Sequence, residues 1–99
     1  MFALDPLTVG GGTNLTSPVV SVTSPTATVA FRNNYNTELD WDGGVLEISV
    51  SGGSFKDIIA AGGSFLQNGY NANLRGGVNN PLGSRPAWTG NSFGYKTTE

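Results

Sequence analysis

Apolar side chains in this 99-residue chain do not recur at the three-to-four-residue spacing that a helix needs, and that absence limits the fold more than any motif. Only Lys56 to Ala61 could turn helically, and Gly62-Gly63 stops it at once. What recurs instead is a period of two. From Thr26 to Tyr35, Val29, Phe31, Asn33 and Tyr35 fall on one face and Thr28, Ala30, Arg32 and Asn34 on the other. From Gly44 to Val50, Leu46, Ile48 and Val50 point inward and Glu47 and Ser49 outward. A shorter β-branched run, Pro18 to Val22, lies between Ser17-Pro18 and Ser24-Pro25, and Phe93 to Thr98 reads as a last strand. These are strands of a sheet covered on one side.

Ser51-Gly52-Gly53-Ser54 supplies the positive φ angles of a tight turn, so residues 44–58 read as a β-hairpin. Gly-Gly-Ser-Phe occurs at 52–55 and again at 62–65; two independent turns account for it better than a repeat. Between Gly62 and Asn91 runs a long Gly/Asn-rich loop region, with Leu74, Val78, Leu82 and Trp88 as its expected anchors.

Composition excludes several function classes. Gly, Asn, Thr, Ser and Pro make up about half the chain, yet 37% of residues are hydrophobic, enough to build a core. With no Cys and no His there is no thiol nucleophile, disulfide, Cys/His zinc site or Ser-His-Asp triad. Five basic residues and a net charge of −2 remove the electrostatic basis for nucleic-acid binding. No apolar stretch approaches the ~18 residues that span a membrane. Met1 to Gly12 has no signal-peptide pattern, which points to the cytoplasm, whereas the Asn/Thr/Ser/Gly richness points to a secreted β-protein. A lost N-terminus reconciles the two.

The ordered series Leu15-Thr16-Ser17-Pro18, Ala27 to Tyr35, Asp42 to Gly53, Phe55 to Ile58, Gly62 to Phe65, Gly69-Tyr70-Asn71, Asn80 to Gly83 and Ala87 to Ser92 resembles a jelly-roll β-sandwich module of secreted bacterial proteins. Such modules are of MAM-like and cleaved-adhesin (choice-of-anchor) type. The likeness covers about residues 3–98. It implies an antiparallel all-β sandwich, non-catalytic, with an accessory or adhesion role at the cell surface or outside the cell, often beside extracellular proteases. The partners it implies are neighbouring domains of a larger protein, a glycan or a host surface protein. Asn36 to Trp41 is shorter than the family's insertion at that place, and the family continues beyond Glu99, so residues 1–99 are expected to form one module that is a fragment of a larger domain.

Two sets of residues are candidate sites. Asn34, Asn36, Glu38, Asp40 and Asp42 place oxygen side chains at every second position, all on one face of an extended segment. Hard cations need several oxygens, so Glu38, Asp40, Asp42 and Asn36 are candidate ligands for a structural Ca²⁺; the other reading is a solvated outer face, with Tyr35, Leu39 and Trp41 inward. The run is not an EF-hand, since Ser49 stands where the bidentate Glu belongs. Asp40 and Asp42 could lie ~7 Å apart, a permissible glycosidase spacing, but the segment brings no evident cleft. Trp41, Tyr70, Trp88 and Tyr95 could stack on sugar rings, with Trp88 and Tyr70 the leading candidates; the other reading makes them core or loop anchors. A carbohydrate-binding module is therefore the alternative to the adhesion module. Gly10-Gly11-Gly12 lacks the Lys of a phosphate cradle, and Asn14-Leu15-Thr16 matches a glycosylation sequon.

Overall fold

Phe31, Asn33 and Tyr35 turn toward the protein while Arg32 and Asn34 face solvent, which is the alternation that their sequence carries. The computed structural model describes residues 12–77 and 80–99. Among them there is no helix, and every strand pair is antiparallel, so the described chain is all-β. The strands are β1 (Phe31–Asn33), β2 (Gly43–Gly44), β3 (Glu47–Ile48), β4 (Lys56–Asp57), β5 (Ala72–Asn73), β6 (Pro86–Thr89) and β7 (Lys96–Thr98). They form three small sheets with orders β1-β7, β2-β6-β5 and β3-β4.

The first two sheets are successive parts of one long antiparallel path. Phe31, Arg32 and Asn33 lie opposite Thr98, Thr97 and Lys96, and an isolated bridge joins Asn36 to Asn91. Between those contacts only Asn34 and Tyr35 face four residues, Ser92 to Tyr95, so two extra residues must bulge out. Phe93 (φ 56°) and Gly94 (φ 113°) absorb them in the left-handed region. Buried Ser92 replaces the interrupted ladder. Its N–H donates to the Tyr35 carbonyl at 2.8 Å, and its hydroxyl accepts from the Tyr35 N–H at 2.9 Å and reaches the Gly94 carbonyl at 2.8 Å.

Further along, Gly43 and Gly44 lie opposite Thr89 and Trp88. A Cβ on Gly43 would sit 2.6 Å from the Trp88 carbonyl oxygen, which accounts for glycine at that close approach. On the other side of β6, the Asn71 side chain supplies the missing strand edge. Its amide donates to the Thr89 carbonyl and accepts from the Thr89 N–H, both at 2.9 Å.

The hairpin expected over 44–58 forms through β3 and β4, with Glu47 opposite Asp57 and Ile48 opposite Lys56. Its turn runs from Val50 to Gly53, closed by the Gly53 N–H on the Val50 carbonyl at 3.0 Å. The positive φ angles fall on Ser51 (52°) and Gly52 (75°), not on the two glycines, as a two-residue turn of primed type requires. The second Gly-Gly has a different task. The Asp57 carboxylate accepts from the Ile59 N–H at 2.9 Å and opens a single turn, which Gly62 (φ 96°) ends. These are two independent turns.

The core is small. Leu74, Ala87 and Trp88 are its buried apolar residues among those described. Trp88 sits edge-to-face with Tyr70 at 4.8 Å, Phe65 at 5.6 Å and Phe31 at 6.0 Å between ring centroids, and its indole N–H donates to the Asn68 carbonyl at 3.1 Å. Of the expected loop anchors, Leu74 and Trp88 are buried and Leu82 half-buried; Val78 lies outside the described residues. Several expectations need correction. Residues 12–30 contain no strand, and Val19, Val20, Val22 and Val29 are exposed. Ile48 and Val50 are exposed too.

Candidate functional site

The acidic run Glu38-x-Asp40-x-Asp42 does not lie on an extended strand. Trp41 and Asp42 both donate their N–H groups to the Glu38 carbonyl, at 3.1 and 3.0 Å, and Asp40 adopts φ 67°, so residues 38–42 form a turn. The cause is Thr89, 1% exposed, beneath the segment. Its hydroxyl accepts from the Asp40 N–H at 3.0 Å and donates to the Asp42 carbonyl at 2.6 Å. Thr37 adds a second clamp, its hydroxyl donating to the Asp42 carbonyl at 2.9 Å and accepting from the Gly90 N–H at 3.1 Å. The segment is thus held by its backbone, and the period-two spacing no longer places Asn34, Asn36, Glu38, Asp40 and Asp42 on one face. Asn36 is in the bridge to Asn91, before the turn begins. Among the described residues, no three His, Cys, Asp or Glu side chains group closely enough to hold an ion. Leu39 and Trp41, expected inward, are exposed; Arg75 lies over the Trp41 ring, 5.0 Å from its centroid.

The two leading sugar-platform residues occupy the interior. Trp88 is 6% exposed amid three aromatic rings, and Tyr70 is half-buried between Phe65 and Trp88. Their ring faces are committed to packing, which is the other reading that their sequence left open. Of the four aromatics, Trp41 and Tyr95 are the exposed ones; Tyr95 has the Arg32 guanidinium 5.9 Å from its centroid.

A charged cluster that sequence reading missed stands at the hairpin base. Arg85 Nη2 lies 3.0 Å from both Glu47 Oε2 and Asp57 Oδ2. The Tyr70 hydroxyl accepts from the Leu46 N–H at 2.8 Å, and its single proton can reach the Leu46 carbonyl or Asp57 Oδ2, each at 3.1 Å. Burial chiefly, with the negative charge of Asp57 beside it, pushes the phenol up to about 12. Burial alone would lower Arg85, but its bonds to Asp57 and Glu47 outweigh that and raise it. Every charged member therefore has a partner, and the cluster joins β3 and β4 to the segment that leads into β6. Glu47 and Asp57 are cross-strand partners and would repel without Arg85. Only that opposition, visible once the hairpin register is known, could have pointed to a cation from elsewhere.

The surface is more unusual than the interior. Two stretches expose large apolar side chains: Val19, Val20, Val22 and Val29 before β1, and Ile48, Val50, Phe55 and Ile59 on and after the hairpin. Comparison of the chain with protein families, with curated proteins and with solved structures finds no match.

Proposed function

We propose that the chain serves as a non-catalytic module of jelly-roll β-sandwich kind, in an accessory or adhesion role at or outside the bacterial cell surface. One observation carries this reading. Large apolar side chains face outward in two stretches, Val19, Val20, Val22 and Val29 before β1 and Ile48, Val50, Phe55 and Ile59 on and after the hairpin. Exposed large apolar side chains are what a contact with a neighbouring domain or a surface protein uses. The all-β architecture of the described residues and the resemblance to MAM-like and cleaved-adhesin modules support the same reading. The test is saturable retention of the folded chain on immobilised glycans and matrix proteins, compared with a Val20→Asp/Val22→Asp variant. Retention that saturates and is lost in the variant supports the reading. Failure to bind any surface, or equal binding by the variant, rejects it.

Carbohydrate binding is the second reading, favoured by the exposure of Trp41 and Tyr95. Retention on glycans alone, reduced by Trp41→Ala and untouched by the valine variant, would select it.

A further inference from the structure

Asn68-Gly69 is the only place in the sequence where glycine follows asparagine, and the structure has a use for each residue there. Asn68 adopts φ 52°, in the left-handed region that asparagine tolerates better than most side chains. A Cβ on Gly69 would lie 2.6 Å from the Phe65 ring, which packs on Tyr70 and Trp88, so a side chain there meets the aromatic core. The fold thereby retains a chemically labile pair, because a glycine nitrogen is the least hindered nucleophile that a main chain offers to the preceding carboxamide.

We propose that Asn68-Gly69 is a modification site protected by the fold: the packed chain preserves Asn68, and opening of residues 65–70 from β7 lets it deamidate. In that reaction the Gly69 amide gives its proton to hydroxide, and its nitrogen bonds to Asn68 Cγ. The Cγ–Nδ2 bond breaks and Nδ2 leaves as ammonia. Water then opens the cyclic imide at either carbonyl, giving aspartate or isoaspartate. The net exchange is NH₃ lost for H₂O gained.

Two features of the packed state oppose it. Ring closure needs the Asn68 side chain and the Gly69 nitrogen on the same side of the Cα–C bond. The left-handed region, with ψ of about +30 to +60°, sets them on opposite sides. The carboxamide is also tied to β7, since Nδ2 donates to the Thr97 carbonyl at 2.8 Å. The Gly69 N–H has no partner among the described residues, so the site is protected by its conformation and not by a bond to the nucleophile.

Reclosing does not undo the change. An aspartate carboxylate cannot donate to the Thr97 carbonyl. Isoaspartate routes the main chain through Cβ and Cγ and turns the original Asn68 carbonyl into a free carboxylate. That carbonyl accepts from the buried Trp88 indole at 3.1 Å and from the buried Thr98 hydroxyl at 3.2 Å. The longer path also shifts Leu66 and Gln67, whose N–H groups bond to the Glu99 carbonyl. The chain thus keeps a permanent record of having opened, whatever its role at the cell surface.

Incubation of the full chain at one mildly alkaline pH, in buffer and in urea above the unfolding transition, tests this by peptide mass mapping. Isomerisation at Asp42-Gly43 leaves the mass unchanged and does not interfere. In urea, position 68 is expected to convert before any other asparagine. In buffer it should convert at least about tenfold more slowly, since the reaction then tracks the population of open chains. Thr98→Val removes one donor to the Asn68 carbonyl; with its fold checked by tryptophan fluorescence, it should convert faster in buffer and at the wild-type rate in urea. The converted chain should unfold at lower urea than the unconverted one. Equal wild-type rates in buffer and urea overturn the proposal, as does earlier conversion of another asparagine or a urea midpoint unchanged by conversion.

Discussion

Residues 18–30 and 31–37 carry the same kind of sequence, short β-branched or aromatic runs with alternating faces, yet one stretch is exposed and unpaired and the other lies in a ladder. The difference is a partner distant in sequence. Phe31 to Thr37 meets Gly90 to Thr98, whose Ser92 hydroxyl and N–H complete the bonds where the register breaks. Pro18 to Ala30 pairs with no strand among the described residues, and its valines remain outside. Alternation states which side chains share a face; it does not provide the second strand. Stability in this chain should therefore concentrate around β6, whose both edges are occupied.

Mutation is the strongest way to break that contrast. Trp88→Ala removes the ring that Phe31, Phe65 and Tyr70 pack against, and should cost about 3–5 kcal/mol. That is a large fraction of the about 5–15 kcal/mol total stability of a domain this size, so the urea midpoint should fall sharply. Val20→Ala, on an exposed residue, should move stability by no more than about 0.5 kcal/mol. Comparable losses from the two would show that residues 18–30 are packed in solution after all.

A sharper version keeps volume constant. Thr89→Val retains the shape of a residue 1% exposed but deletes the hydroxyl that serves the Asp40 N–H and the Asp42 carbonyl. Leaving such groups unsatisfied costs about 1–3 kcal/mol. Urea midpoints measure it, and amide exchange at Asp40 should quicken most. A neutral result would mean that the 38–42 turn is held without Thr89, by Thr37, the Arg75 N–H and its own bonds to the Glu38 carbonyl.

The hairpin base gives a pH-dependent handle. Tyr70 has its folded pKa raised from 10.0 to about 12. The unfolded chain thus loses the phenolic proton first, and stability is full below pH 10 and falls as pH rises toward 12. Tyr70→Phe has no such proton, so the stability gap between wild type and variant should narrow across that window. Denaturant melts of both proteins at pH 9, 10.5 and 12 measure the gap; a constant gap would remove Tyr70 as its source.

How much of this was legible beforehand divides along the same line. The turn chemistry was local and could be read: Gly52 and Gly62 mark chain reversals, whereas the Asp57 carboxylate opening the turn that Gly62 closes emerged only from the structure. The inward set Phe31, Asn33, Tyr35 was legible from period two alone. Long-range facts were not. Nothing local announces that Thr89 will fold Glu38 to Asp42 into a turn, that Asn71 will stand in for a strand, or that Arg85 will cross to Glu47 and Asp57. The oxygen-rich run from Asn34 to Asp42 suggested a cation site because spacing was taken for geometry; the two coincide only on an extended backbone, and Asp40 at φ 67° is not one.

That run supplies the smallest expected effect. Glu38, Asp40 and Asp42 lie within five residues, and opposite or like unit charges at ~4 Å exchange only about 1 kcal/mol in water. Their repulsion alone thus gives calcium little to relieve. High affinity would need six to eight oxygens converging on one point. The backbone oxygens best placed to join them are in use: the Glu38 carbonyl accepts from Trp41 and Asp42, the Asp40 carbonyl from Arg75, and the Asp42 carbonyl from Thr37 and Thr89. An ion drawing on those carbonyls would compete with the bonds that hold the turn, leaving the three carboxylates as its main ligands. Millimolar calcium should accordingly leave the thermal midpoint within about a degree of its value in chelator, since a native-state ligand shifts stability only in proportion to RT ln(1 + [L]/Kd). A rise of several degrees, abolished by Asp42→Asn, would show that the 38–42 turn rearranges around an ion and that the Thr89 clamp is the weaker of two competing arrangements.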